Sequence, residues 1–300
     1  MLEDYLNEKY CLKNHFLTTV SKRVYNKIMK IKYLIDTHQH YGYWNTLTEC
    51  KYNLLNSFTK YNLSYALISF DGSEFKEEGQ KRGKLVPSLE GSKKMLKFVK
   101  ENEHYGMLVW VRPHTENNVQ EIESFIKKHL NLIHGIKFHP YCSRMRVTDK
   151  RFEPYILIAR KYNLPILVHT AKDKYSSLKY LKRVAMKFND VIFVAAHMEL
   201  LTNNKNCVTL LKECNNVYCD TAWVNMDILT DLKSEGLLDR VMFGTDNPID
   251  GLDTLNNPIY LDYYNNKIKL TKKELSKVYF ENALKVYKID KNLLKPRYFD

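Results

Sequence analysis

The sequence predicts an α/β protein, a (β/α)8 TIM barrel with an N-terminal helical extension, and three observations carry that prediction. Eight short apolar runs rich in Val, Ile and aromatic residues recur along the chain, helical periodicity fills the gaps between them, and metal-type side chains fall at the ends of four of the runs. A chain of 300 residues suits one such unit, since barrels commonly take about 250 residues as a single domain.

The runs, in order, are Tyr33 to Asp36, Tyr65 to Phe70, Met107 to Val111, Gly135 to Phe138, Pro165 to Val168, Val191 to Ala195, Val217 to Asp220 and Arg240 to Gly244. Their starts lie mostly 23 to 32 residues apart, with one longer interval before the third, so each gap holds one helix and two loops. Most of the runs are nearly continuous in apolar residues, as parallel strands buried on both faces must be. Apolar residues recur every three or four positions in Tyr155 to Tyr162 and in Ser177 to Phe188, which predicts helices there. Thr271-Lys272-Lys273-Glu274 is a capping-box start for the last helix. Residues 1–32 read as a helical extension covering the barrel floor, with a dimerisation arm as the alternative, and residues 33–300 read as the barrel.

Composition narrows the class. With 44% hydrophobic residues the chain can fill a sizeable core. A formal charge of +13 comes mainly from dispersed Lys, with no basic block; this reads as a solvated surface and argues against nucleic acid as partner, while leaving an anionic small-molecule substrate open. No apolar stretch approaches the roughly 18 residues that cross a bilayer, and the first thirty residues carry no apolar signal core, so a cytoplasmic protein with no membrane partner is expected. The six cysteines form no C-x-x-C pair and read as reduced thiols. Composition leaves a homo-oligomer open.

The chemistry sits at strand ends. In Asp36-Thr37-His38-Gln39-His40, the two-residue strand period turns His38 and His40 to one side. His169 ends the fifth run, His197 the sixth and Asp246 the eighth. In a parallel barrel all carboxyl ends meet on one face, so these five ligands drawn from four strands converge there. Imidazoles with a carboxylate suit a divalent cation, Zn2+ first, with Mn2+, Fe2+ or Ni2+ admitted by ligand type. Such an ion brings the pKa of water toward neutrality, and Asp246 is the group to accept the proton.

Taken with Gly135-Ile136-Lys137-Phe138-His139-Pro140 and Phe243-Gly244-Thr245-Asp246-Asn247-Pro248, these motifs resemble the amidohydrolase superfamily, and most closely its amidohydrolase-related (amidohydrolase 2) branch of hydrolases and non-oxidative decarboxylases. The likeness covers about residues 34 to 290. It implies His38, His40, His169 and Asp246 as metal ligands, with His197 binding a second ion or holding the attacking water. It also implies one or two ions per chain, the second depending on whether Lys137 is a carboxylated bridge or a buried amine. His139 is expected at substrate or metal.

Loop residues on the same face are candidates for substrate contact: Trp44 with Tyr41 and Tyr43, Arg112 with His114, Arg144 with Arg146, and Trp223. Arg112 or Arg144 suits a carboxylate or phosphate. Asp220 reads as structural. The leading expectation is a hydrolase that cleaves a C–N or C–O bond of an amide, lactone, lactam or ester by metal-activated water. Decarboxylation of an aromatic or unsaturated acid is the alternative. A TatD-like deoxyribonuclease is disfavoured by Lys137 standing where those relatives carry glutamate, and a non-catalytic binding barrel finds no support in a chain that keeps all five ligands.

Overall fold

The structure is a computed structural model and describes residues 31–42, 47–71, 86–114, 118–249 and 253–298. The expected extension therefore lies almost wholly outside the described residues, as do Tyr43 and Trp44.

Eight parallel strands follow one another around a single sheet in chain order, as a (β/α)8 barrel requires. They are β1 (Ile35–Gly42), β2 (Tyr65–Asp71), β3 (Tyr105–Val111), β4 (Ile133–Phe138), β5 (Ile166–Ala171), β6 (Phe193–Leu200), β7 (Val217–Asp220) and β8 (Val241–Met242). The apolar runs mark every strand. Several strands nonetheless reach further than their runs: β1 continues through His38 and His40 to Gly42, and β6 through His197 to Leu200. Backbone pairing with the neighbouring strand, which ignores side-chain polarity, carries β1 past the apolar stretch, and β6 pairs with β5 up to Ala196 and again at Leu200, across an irregularity between them.

β8 is two residues long for an identifiable reason. The Phe243 N–H donates to the Val278 carbonyl at 2.9 Å, a helix acceptor in place of a strand one. Val278 lies in the π-helical turn Lys277–Glu281, which interrupts the last helix between Lys272–Ser276 and Asn282–Tyr287. The expected capping box at Thr271 and Glu274 is present in full. The ring closes through three backbone bonds between β1 and the segment after β8: Thr37 N–H to Phe243 O at 3.0 Å, Asp246 N–H to His38 O at 2.7 Å and His40 N–H to Asn247 O at 2.8 Å. Closure thus lays the last candidate ligand directly against the first two.

Helices fill the gaps, among them α1 (Leu47–Lys60), α2 (Ser88–Glu101), α3 (Val119–Lys128), α4 (Glu153–Tyr162), α5 (Leu178–Lys187), α6 (Lys205–Glu213) and α7 (Ile228–Ser234). Both helices predicted from periodicity fall within a residue or two of α4 and α5. Strand side chains are buried on both faces, so the interior is a packed core, and the polar residues buried with it include His38, His40, Lys137, His169, His197, Asp220 and Asp246. All five described cysteines are free thiols. Among the described residues, no helix is long and apolar enough to cross a membrane.

Candidate functional site

At the carboxyl ends of the strands, the Nε2 atoms of His38 and His40 stand 3.1 and 2.7 Å from one oxygen of Asp246, Oδ1. Ligand atoms around a tetrahedral ion with bonds of about 2.0–2.1 Å are separated by roughly 3.3 Å, so this spacing suits donors that share a cation. His197 joins them: its ligand atom and those of His38 and Asp246 all lie within 4.8 Å of one another. Gly244 permits the close approach, because a Cβ there would stand 3.0 Å from that of His38 and 3.2 Å from that of Asp220.

Second partners set the ring directions. The His38 Nδ1–H donates to Asp220 Oδ2 at 2.8 Å, which leaves Nε2 facing the centre. The other Asp220 oxygen accepts the backbone N–H groups of His197 at 2.9 Å and Ala222 at 3.1 Å. One carboxylate therefore orients two candidate ligands, a role the sequence reading reduced to structure. The signal was present in its place at the end of β7, on the face where the ligands gather. Asp220→Asn is expected to weaken cation binding about 10- to 100-fold, measured by competitive Zn2+ titration; unchanged affinity would confine Asp220 to folding.

Asp36, wholly buried, accepts from Gln39, from the Thr245 backbone and hydroxyl, and from the His38 N–H, tying β1 to the loop that carries Asp246. Lys137 is also buried, and its Nζ lies 2.8 Å from His38 Nε2. His139 leaves β4 as the N-cap of Pro140–Ser143, its Nδ1 accepting from the Cys142 N–H at 3.3 Å. Its ring lies parallel to that of His169 at 3.9 Å and to that of Trp110 at 5.1 Å. On Trp110 rests the guanidinium of Arg112, 4.9 Å from the ring centre, so four planar groups form one wall of the site. His169 is edge-on to His197 at 4.9 Å and, like His40, lies outside the mutual group of His38, His197 and Asp246.

Burial dominates the electrostatics. It presses His139 and His169 well below the ordinary imidazole value, lowers His40, and takes His197 down to about 4, so these rings are neutral and lone pairs are available. Burial also takes Lys137 down to about 8 against the pull of Asp246 and Asp220. For Asp246, burial is outweighed by His38, His40 and His197, whose charges and hydrogen bonds hold the carboxyl well below its usual range. For His38, burial and Lys137 are outweighed by Asp220 and Asp246, and the ring ends raised. The pocket thus favours positive charge at His38 Nε2, which a bound cation would supply in place of the proton.

Of the expected substrate contacts, Trp223 is turned inward, its indole N–H donating to Asp246 Oδ2 at 3.0 Å. Arg112 is buried and donates to the Val86 carbonyl at 2.7 Å. Arg144 is exposed, and Trp44 lies outside the described residues. His197, Trp223 and Asp246 all hold left-handed backbone, with φ of 65°, 59° and 65°. Non-glycine residues keep that conformation only when their surroundings enforce it.

A parallel barrel with imidazoles and carboxylates gathered at its carboxyl-end mouth defines the class: a barrel enzyme with a candidate metal centre. The chain belongs to the amidohydrolase family, whose model (Amidohydro_2) matches residues 93–289. No curated protein is matched by the chain. Solved structures resemble it in fold. The 5-carboxyvanillate decarboxylase of Novosphingobium aromaticivorans, complexed with manganese and 4-hydroxy-3-methoxy-5-nitrobenzoic acid, matches with a TM-score of 0.62 at 11% identity, over 86% of this chain and 96% of that one. A probable 2-pyrone-4,6-dicarboxylic acid hydrolase of Acinetobacter baumannii, with citric acid bound, matches at 0.59 and 12%, over 85% and 99%. Amidohydrolase 2 of Bifidobacterium longum subsp. infantis matches at 0.55 and 14%, over 86% and 100%.

Proposed function

We propose that the protein is a hydrolase that binds one divalent cation at the barrel mouth and cleaves a C–N or C–O bond of a small molecule, an amide, lactone, lactam or ester. The observation that carries this reading is the convergence of His38 and His40 Nε2 on a single oxygen of Asp246. One ion is proposed because the described residues contain one group of donors in mutual reach. His38, His40, His197 and Asp246 would hold it, with His169 beside them. Nitrogen-rich donors favour Zn2+, and the manganese of the decarboxylase makes Mn2+ the next candidate. When bound, the ion supplies Lewis acidity, lowering the pKa of water and polarising a carbonyl.

The remaining chemistry belongs to side chains. Asp246 is held ionised, with Trp223 occupying Oδ2, so Oδ1 is the atom to take a proton from water and return it to the leaving nitrogen or oxygen. With Nδ1 engaged by the Cys142 N–H, neutral His139 carries its proton on Nε2 and can donate to a substrate oxygen. Arg112 places a permanent cation in the wall, which favours an anionic substrate. Lys137 acts as a buried amine beside His38 rather than as a carboxylated bridge. The cytoplasm remains the proposed location, and residues 1–32 the proposed cover of the barrel floor.

The second reading is decarboxylation of an aromatic or unsaturated acid, favoured by the buried guanidinium of Arg112 and by the decarboxylase among the similar folds. One experiment separates them. Metal-loaded protein is offered a panel of lactones, amides, esters and aryl carboxylic acids in 18O-labelled water. The label in the organic product establishes hydrolysis, and carbon dioxide release without it establishes decarboxylation. Stoichiometric metal with neither product across the panel would count against both, and two ions per chain by elemental analysis would refute the single-ion site.

A further inference from the structure

The segment after Ala196 departs from strand geometry. His197, Met198 and Glu199 have φ of 65°, 48° and 72°, and Leu201 and Asn204 follow with 69° and 64°. None is glycine, and an L side chain in this region sets its Cβ against its own carbonyl oxygen, so three in succession do not persist unaided. The N–H side of the segment is held by Asp220, which accepts from His197, and by Thr170, whose hydroxyl accepts from Glu199 at 2.9 Å. Glu199 itself is anchored, its carboxylate accepting from the Leu178 N–H at the start of α5 and from the Asn206 amide.

On the carbonyl side, the Thr202 hydroxyl donates to the Glu199 oxygen at 2.7 Å, and Asn204 reaches all three carbonyls, the His197 and Met198 oxygens among them. The buried Asn204 amide sits 3.1 Å from the His197 oxygen, 3.0 Å from that of Met198 and 3.5 Å from that of Glu199, spanning the three left-handed residues with one NH2 group. Asparagine also tolerates the left-handed conformation that position 204 requires. At the far end of the segment, the His197 Nδ1–H donates to the Ala222 carbonyl at 3.1 Å, which leaves Nε2 for the centre. A shift of the His197 backbone would break that bond and swing the ring.

We infer that Asn204 is a positioning residue: by clamping the carbonyls of His197, Met198 and Glu199 it holds the left-handed segment and fixes the direction in which His197 presents Nε2. Asn204 acts only through His197. The consequence for cation binding rests on the function proposed above, whereas the consequence for the ring does not.

The fold contains its own control. Asn216 makes a similar three-carbonyl clamp, its amide donating to Ala185 at 3.1 Å, Phe188 at 3.1 Å and Val191 at 2.8 Å, on the connection from α5 into β6 rather than at the centre. The test uses the full chain, metal-free and labelled with 15N-histidine, with the His197 signal identified by its loss in His197→Gln. The wild type is expected to show a fixed Nδ1–H tautomer. Asn204→Asp, which turns acceptor oxygens toward three carbonyls, and Asn204→Gly, which removes the donor while relaxing the φ of that residue, are both expected to replace it with a tautomer mixture. Should Asn204→Asp fail to fold, Asn204→Gly alone decides the outcome. Asn216→Gly is expected to lower the melting temperature yet leave the His197 signal in place.

A fixed Nδ1–H tautomer retained in Asn204→Gly, or the same loss of it in Asn216→Gly, overturns the inference. Titration with Co2+ is the second reading, with at least tenfold weaker binding expected for Asn204→Gly. A wild type that binds no Co2+ sinks the metal reading alone, and the tautomer still decides the clamp.

Discussion

Asp246→Asn is expected to leave the barrel folded and to lower kcat by at least about a thousandfold, within the span attributed to a positioned general base. The substitution is isosteric, so the contacts with His38, His40 and Trp223 keep their shape while the negative charge is lost. That charge stabilises the cation, and its oxygen is the proposed proton acceptor, so metal content and turnover fall together. Circular dichroism checks the fold, elemental analysis the metal, and steady-state kinetics on the substrate found by the panel the loss. Activity near wild type would remove Asp246 from the mechanism, whatever the metal content.

Acidification of the metal-free protein is expected to produce a comparably large loss, this time of stability. His40, His134, His139, His169 and His197 are lowered from the ordinary imidazole value, each chiefly by burial. Below about pH 6.5 the unfolded chain binds protons at these positions that the folded chain refuses, so stability falls as pH drops from there toward the folded values, which for His197 is about 4. Asp36 works in the opposite sense: burial raises it to about 7, so the folded chain takes up a proton there that the unfolded chain declines until near pH 4. The imidazoles outnumber it. Each net proton is worth about 1.4 kcal/mol per pH unit, so a few suffice to lower the stability of the metal-free protein by several kcal/mol between pH 6.5 and 5. Urea unfolding at a series of pH values with chelator present reads the slope, and a flat profile over that interval would mean that the imidazoles are solvated.

The left-handed segment that carries His197 and the neutral, dry surroundings of the imidazoles belong to one arrangement. Backbone strain and desolvation both cost stability, and both occur here within reach of Asp246. Such costs persist at a site where they set geometry and charge for a ligand.

By itself the sequence determined what depends on neighbours along the chain. Continuous apolar runs mark each strand, and three-to-four-residue patterns mark the two helices read from them, because burial acts on a local pattern that the folded element must match. The five candidate ligands could be named for a related reason: in a parallel barrel, standing at a strand end is already a statement about place. Tertiary structure alone decided the partners. Asp220 lies 182 residues from His38 and binds its ring, Trp223 donates to Asp246, and the Arg112 guanidinium rests on Trp110. The same holds for the short β8, completed by a π-turn carbonyl. Hydrogen bonds between residues distant along the chain leave no periodic trace, since each depends on one rotamer meeting one acceptor after the barrel has closed.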